Sequence, residues 1–128
     1  MVRRKSALPT ELELLILKTL WAESPLPVRE IRKQLSIQGR EVAHTTVITT
    51  LNIMLEKGYV SRTPHKNSYL FSPEVREEDI SQGVVKDVVK RVFDGSAKGL
   101  MLSLLASEDV SDEELDAIRE MIDRKTKG

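Results

Sequence analysis

The chain has 128 residues, with 40% hydrophobic and 31% charged residues, which suits a globular protein of one ordinary domain or two small ones. It contains no cysteine, which excludes disulfides, thiolate zinc sites, cysteine nucleophiles and thiol redox sensing. Its net charge is zero, but the segment through Pro73 has eleven Lys and Arg against six Glu, so a polyanion is the expected partner of that segment only.

Apolar runs in this sequence are shorter than the roughly 18 residues that a membrane span requires. The basic N-terminus leads into a polar helix start instead of the apolar core of a signal peptide. We therefore expect a cytoplasmic protein that does not bind membranes directly. The two histidines, His44 and His65, fall in different predicted elements, so neither a metal nor another cofactor is expected.

The first predicted helix begins at a capping box, in which Thr10 and Glu13 each satisfy a backbone amide. Apolar residues then follow helical spacing as far as Trp21, and Pro25-Leu26-Pro27 ends the helix and extends the chain. A second helix is predicted over 28–35. Its outer face is basic and carries Arg29, Arg32 and Lys33.

The third predicted helix, from Ala43 to Lys57 with Gly58 as its C-cap, has two different faces. The face expected to contact the core has residues at i, i+3, i+4 and i+7 spacing, which are Val47, Thr50, Leu51 and Met54. The opposite face carries Thr45, Thr49, Asn52 and Glu56, flanked by Thr46 and Ile53. Short hydroxyl and amide side chains can hydrogen-bond to base edges and phosphates, so this face is predicted to read DNA. The alternative is a solvated face, in which Lys and Glu are more usual than Thr.

Two short strands are predicted next, over 59–62 and 68–71, because both segments are rich in aromatic and β-branched residues. The segment 63–67 is predicted to be the turn between them, with Asn67 in a left-handed conformation. Three helices followed by a hairpin give the order of a winged helix-turn-helix. Arg62 and Lys66 bring positive charge to this wing, where DNA phosphates pass.

Three further helices are predicted after Pro73: one ending near Gly95, one over 97–106, and one beginning at the capping box Ser111–Glu114. The predicted fold is therefore mainly α with a small β-hairpin wing: a DNA-binding domain over 1–73 and a three-helix dimerisation domain over 74–128.

The three helices after Pro73 cannot easily bury this many apolar residues alone, which favours a homodimer on a palindromic DNA site. The alternative is that the apolar stripes pack within the monomer. The candidate dimer contacts are Val88, Val92, Leu100, Met101, Leu104, Leu105, Leu115, Ile118 and Ile122.

Several segments together resemble the penicillinase-repressor family (BlaI/MecI/CopY). The resemblance covers nearly the whole chain and is more specific before Pro73 than after it. The segments that carry it are 12–21 (LELLILKTLW), 25–31 (PLPVREI), 42–47 (VAHTTV), 51–52 (LN), 56–60 (EKGYV), 69–73 (YLFSP) and 92–96 (VFDGS).

The resemblance implies a homodimeric winged-helix repressor whose third helix reads the major groove of a palindromic operator. By position it implies that Thr45, Thr46, Thr49 and Asn52 read bases. The sequence departs from the family at His44, where an aromatic residue is usual, and at Ile53, where Arg is common. Whether Ile53 replaces a phosphate contact or packs internally is left open.

The resemblance also bears on how such a repressor is released from DNA. Without cysteine, the chain cannot sense copper as one branch of the family does. Another branch is cleaved at an Asn-Phe bond, and the corresponding bond here is near Ser103-Leu104, where neither residue matches. Cleavage at that bond, through a membrane-bound sensor protease, is a hypothesis.

Two other classes of function are the alternatives to DNA binding. A winged helix can also serve as a protein–protein interaction module without specific DNA binding, since fold alone does not fix function. The excess of positive charge through Pro73 and the hydroxyl-rich third helix argue against that alternative. The sequence contains no nucleophile–base pair, phosphate-binding glycine loop or metal cluster, so an enzyme is not expected.

Overall fold

The computed structural model describes residues 8–127. This part of the chain contains six α-helices and a two-stranded antiparallel sheet. The elements are α1 (Glu11–Ala22), α2 (Val28–Ile37), α3 (His44–Lys57), β1 (Val60–His65), β2 (Ser68–Pro73), α4 (Glu77–Val92), α5 (Ala97–Ala106) and α6 (Asp112–Lys127). The mainly helical fold with a hairpin wing is as predicted.

The chain divides into two compact units, one through Val84 and one from Val85 onward. The first unit holds a core to which α1, α2, α3 and the hairpin all contribute. Its buried apolar residues are Ile16, Leu17, Leu20, Leu26, Ile31, Leu35, Val47, Leu51, Met54, Tyr59, Val60 and Phe71. Burying these side chains is the main force that holds the three helices against the sheet.

Local sequence signals set the ends of several helices as predicted. The Thr10 hydroxyl accepts a hydrogen bond from the Glu13 amide at 3.2 Å, and the Thr10 amide donates to Glu13 Oε1 at 2.9 Å. Gly58, with φ +83°, ends α3 in the left-handed conformation that glycine adopts without steric cost. The Ser111–Glu114 capping box also forms, at 2.9 and 3.1 Å.

The wing differs from its prediction. Its strands are longer, with Val60 opposite Pro73 and His65 opposite Ser68, so the turn is only the two residues Lys66 and Asn67. Taking 63–67 as the turn was wrong because β1 is an edge strand, where Pro64 removes no ladder hydrogen bond. The left-handed residue is Lys66, with φ 57°, and the prediction for Asn67 was wrong.

The extended link between α1 and α2 joins the sheet on the side of β2 away from β1. Leu26 and Phe71 exchange two backbone hydrogen bonds, from Leu26 N to Phe71 O at 3.0 Å and from Phe71 N to Leu26 O at 2.8 Å. This bridge fixes the start of α2 to the wing.

The segment after the wing also packs on the first unit. The Trp21 indole nitrogen donates to the Val75 carbonyl at 2.9 Å, and Val75 and Ile80 pack against the core. Helix α4 then continues across the boundary between the units. By contrast with α1 to α3, the helices α4, α5 and α6 have no buried residue within the part of the chain that the structure describes.

Candidate nucleic-acid interface

Helix α3 has the two faces that its sequence predicted. Val47, Leu51 and Met54 are fully buried in the core. The Thr50 hydroxyl, on the same side of the helix, donates to the Thr46 carbonyl at 2.7 Å. The opposite face is exposed and carries Thr45, Thr49 and Asn52, and the fourth predicted base-reading residue, Thr46, is exposed at its edge. The structure therefore places these hydroxyl and amide groups together on one free surface.

Ile53 lies beside that surface and is 41% exposed. It is therefore not buried in the core, which argues against internal packing. Ile48 is similarly exposed, at 38%, and His44 is exposed in the first turn of α3. The face thus combines short polar side chains with apolar ones that could contact thymine methyl groups.

The start of α3 is tied to α2. The Arg32 guanidinium Nε donates to the Val42 carbonyl at 2.9 Å, and the Ser36 hydroxyl donates to Glu41 Oε2 at 2.6 Å. These two bonds hold Glu41 and Val42, near the end of the short segment that leads into the helix. Because α2 itself packs into the core through Ile31, the direction of α3 is fixed relative to the rest of the unit.

The other end of α3 is tied to α1 by an ion pair. Lys57 Nζ lies 3.0 Å from each carboxylate oxygen of Glu13, whose side chain is only 3% exposed. Lys57 Nζ also lies 5.7 Å from the centroid of the Tyr59 ring. Burial first, and then the nearby Glu13 carboxylate, raise the pKa of Tyr59 above its usual value of 10.0.

The two predicted wing cations, Arg62 and Lys66, lie at different places on the hairpin. The Arg62 guanidinium stacks over the Tyr69 ring, with its Cζ 4.1 Å from the ring centroid. Lys66 lies in the turn at the tip of the hairpin. Both side chains are exposed, so both charges are available to an anion.

The predicted dimer contacts lie on α4, α5 and α6, and they are exposed or half-buried. Six of them are more than a third exposed: Val92 (66%), Met101 (57%), Leu104 (55%), Leu105 (52%), Ile122 (51%) and Ile118 (39%). The other three, Val88, Leu100 and Leu115, are half-buried. Ser103 and Leu104, the residues of the hypothetical cleavage bond, are exposed within α5.

Sequence reasoning missed the two tertiary contacts that arrange this interface. The Glu13–Lys57 pair joins residues 44 apart, and no local pattern marks it. The bridge between Leu26 and Phe71 is equally non-local, and it brings Arg29 next to the tip of the wing. The one sequence signal for this contact was the basic outer face of α2. That signal did not indicate that the wing lies beside it.

Among residues 8–127, no group of three or more His, Asp or Glu side chains is placed to hold a metal ion. No helix in the same range has both the length and the apolar character that crossing a membrane requires.

Among known proteins, the chain is similar to several repressors and transcriptional regulators. The chain is 22% identical over 107 residues to a penicillinase repressor of Staphylococcus aureus, covering 84% of each chain. It is 27% identical over 111 residues to the transcriptional regulator BlaI of Mycobacterium tuberculosis, covering 85% of this chain and 78% of the relative. Among solved structures it is similar in fold to the DNA-binding domain of the repressor BlaI, with a TM-score of 0.52 and 23% identity, over 62% of this chain and 93% of that domain.

The model of the penicillinase-repressor family matches residues 9–124, which is almost the whole chain. That family consists of repressors and not of enzymes, in agreement with the expectation from the sequence. This chain belongs to the penicillinase-repressor family.

Proposed function

We propose that the protein is a sequence-specific DNA-binding transcriptional repressor that reads its operator with α3. The observation that carries this proposal is the exposed face of hydroxyl and amide groups on α3, in a winged-helix unit of a chain that belongs to the penicillinase-repressor family. Thr45, Thr46, Thr49 and Asn52 contact base edges in the major groove. This function places the protein in the cytoplasm.

Phosphate contacts supply much of the affinity. Arg62 and Lys66 on the wing contact the DNA backbone, and the positive excess through Pro73 attracts the duplex to this part of the chain. Each neutralised phosphate releases counterions, so affinity falls steeply as the salt concentration rises.

The repressor acts as a homodimer on a palindromic operator, with residues 1–73 binding DNA and residues 74–128 joining the two copies. The support for this assembly is the large amount of exposed apolar surface on α4, α5 and α6. A monomer that leaves side chains such as Val92 and Met101 in water would be unusual. A second copy of the same chain covers them with matching surfaces, and its two-fold axis matches a palindromic site.

Proteolysis of the dimerisation domain at Ser103-Leu104 is the route that we propose for release from DNA. Both residues are exposed in the single chain, and because Leu104 is also a proposed dimer contact, a membrane-bound sensor protease would reach the bond when the two copies separate. The repressor should be incubated with the activated sensor protease of its host, and the products weighed by mass spectrometry. A cut at this bond is expected, whereas an intact chain or a cut elsewhere would contradict the proposal.

The experiment that tests the main proposal is selection from random DNA duplexes with purified full-length protein. The selected duplex and a random duplex are then titrated at two salt concentrations. We expect a two-fold-symmetric site, bound at least about a thousandfold more tightly than random DNA. That site would also allow the regulated genes to be found.

The contrary result is weak binding without sequence preference that disappears as the salt concentration rises. It would show that the positive charge of the first segment acts only through non-specific electrostatics. The protein-interaction alternative would then be the better account of the winged helix.

A further inference from the structure

A cleft of about 370 Å³ lies between the start of α2 and the tip of the wing. We call it the α2–wing cleft. Its walls include no Asp or Glu, and Pro27 and Leu70 form its apolar part. Its polar lining residues are Arg29, His65, Lys66, Asn67 and Ser68. The cleft therefore offers two full positive charges and several hydrogen-bond donors to a single small space.

The two cations of the cleft are free to bind an anion. Among the residues that the structure describes, neither Arg29 nor Lys66 has an acidic partner within ion-pair distance. Other cations of the same unit are engaged: Arg32 donates to the Val42 carbonyl, and Lys57 is paired with Glu13. A neighbouring cleft along α2 contains Arg29, Arg32 and Lys33, and the Glu41 carboxylate that also lines it offsets one of these three charges.

The two walls of the cleft are fixed to each other at its base. The hydrogen bonds between Leu26 and Phe71 hold the start of α2 against β2, and both residues are buried. Arg29 follows Leu26 by less than one turn of helix, and the tight Lys66-Asn67 turn leaves the wing tip little freedom. A ligand would therefore meet two walls whose backbone is already in place, so less entropy is lost in ordering the chain on binding.

Lys66 itself is poorly suited to its position on conformational grounds. Its φ of 57° is left-handed, a conformation that costs a lysine roughly 1–2 kcal/mol and that Gly or Asn adopts more easily. A cationic side chain at a site where folding favours Gly or Asn points to a role in binding.

The cleft is distinct from the surface that Arg62 occupies. Successive side chains of a strand point to opposite faces, so Arg62 and His65, three residues apart on β1, lie on opposite faces of the hairpin. Arg62 stacks on Tyr69 on its own face, whereas His65 lines the cleft. An anion in the cleft is therefore a different one from any that Arg62 contacts.

We propose that the α2–wing cleft binds one phosphodiester group of the DNA backbone in each half of the operator, held by Arg29 and Lys66 together. A guanidinium can donate two parallel hydrogen bonds to a phosphate, and the lysine ammonium adds a second positive charge. The cleft reads no base, so it contributes affinity and position but not sequence preference. This inference rests on the proposed function, because it names a further contact of the same DNA.

The first test compares Arg29→Gln, Lys66→Asn and the double variant with wild type on the selected operator and on a random duplex. Lys66→Asn removes the charge but keeps a residue that tolerates the left-handed turn. Arg29→Gln should weaken binding to both duplexes roughly tenfold and lower the slope of log affinity against log salt by about 0.9. The affinity of the double variant should fall by a smaller factor than the product of the two single factors, since both cations hold one phosphate.

The matched control is Lys18→Gln, which removes one exposed charge from α1 of the same unit and lies outside the cleft. It should leave affinity and salt slope nearly unchanged. Arg29→Lys retains the charge and should restore the slope while recovering only part of the affinity, because lysine cannot bind in the bidentate manner. Thermal unfolding of each variant confirms that the fold is retained.

The second test replaces single phosphates of the operator by neutral methylphosphonates. We expect one position in each half-site at which the replacement weakens wild type but not Arg29→Gln. The proposal is overturned if wild type binds the operator tightly while Arg29→Gln matches Lys18→Gln in affinity and slope. If wild type prefers no duplex, the proposed function fails, but the salt dependence of binding to random DNA still tests the cleft. A lower slope of log affinity against log salt for Arg29→Gln than for wild type supports phosphate binding in the cleft. An unchanged slope overturns it.

Discussion

At the scale of single residues, Glu13 makes two interactions, one with Thr10 nearby in the sequence and one with Lys57 much further along the chain. Its carboxylate completes the capping box of α1 by accepting from the Thr10 amide, and it also pairs with Lys57 at the end of α3. Removing one partner of a buried ion pair leaves the other charge without compensation, which costs more than the pair itself contributes. The two residues therefore depend on each other.

We expect Lys57→Met to lower the free energy of unfolding by about 2 kcal/mol, somewhat below the loss for a fully buried pair, because Lys57 is partly exposed. Glu13→Gln should also destabilise the protein, since an amide replaces the charged partner of Lys57. The double variant should lose clearly less than the sum of the two single losses. Urea unfolding of all four proteins measures these differences.

The matched control is Glu11→Gln, also on α1. Glu11 lies 3.8 Å from Arg40 in a pair whose side chains are 84% and 40% exposed, so this substitution should change stability by less than about 0.5 kcal/mol. Additive losses for Glu13→Gln and Lys57→Met would show that the two residues act independently, contrary to this interpretation.

At the scale of whole elements, α3 was predictable because its information is local. The buried positions Val47, Leu51 and Met54 recur with the helical period, and Gly58 marks the end of the helix within the same segment. The wing was less predictable because its turn depends on strand pairing. Pro64 resembles a turn residue until the edge position of β1 is known.

The non-local contacts could not be predicted from the sequence for the same reason. Nothing near Leu26 indicates that it pairs with Phe71, and nothing near Arg29 places it beside Lys66. The sequence thus predicted the exposed polar face of α3 and the existence of the wing. It did not predict the α2–wing cleft, which arises only when segments about 40 residues apart are packed together.

The polar face of α3 gives a prediction about specificity. Thr49→Ala and Asn52→Ala should each weaken binding to the operator by roughly 1–3 kcal/mol while leaving binding to random DNA nearly unchanged, because base contacts carry the sequence preference. The salt slope should stay constant, since neither side chain is charged. Fluorescence anisotropy with both duplexes measures the two affinities.

Thr50→Ala is the control on the same helix, because its hydroxyl is already bound to the Thr46 carbonyl on the half-buried side of the helix. It should leave the ratio of operator to random affinity unchanged. Equal losses on operator and random DNA for Thr49→Ala or Asn52→Ala would exclude a base-reading role for that residue.

At the scale of the whole molecule, the two parts of the chain have opposite charge and unequal burial. The segment through Pro73 is basic and belongs to a unit with its own apolar core, whereas the remainder is acidic. The acidic remainder repels DNA, which favours binding of the duplex by the segment through Pro73. Since α4, α5 and α6 bury no side chain within the described residues, the stability of this region should depend on association.

This dependence gives the last prediction, which concerns Leu105→Asp on α5. Leu105 is 52% exposed in the single chain, so in a monomer the substitution should change stability by less than about 0.5 kcal/mol. In a homodimer it places a charge in an apolar interface, which is strongly unfavourable. We expect sedimentation equilibrium to give twice the chain mass of 14.5 kDa for wild type and the single chain mass for Leu105→Asp.

Lys98→Asp on the same helix is the control, since it introduces the same side chain at an exposed polar position and should preserve the dimer. Association also predicts that the wild-type melting temperature rises with protein concentration, whereas that of Leu105→Asp does not. A wild-type protein that stays at the single chain mass up to tens of micromolar would contradict the dimer. The exposed apolar side chains of α4, α5 and α6 would then require a different partner, and the operator would have no reason to be palindromic.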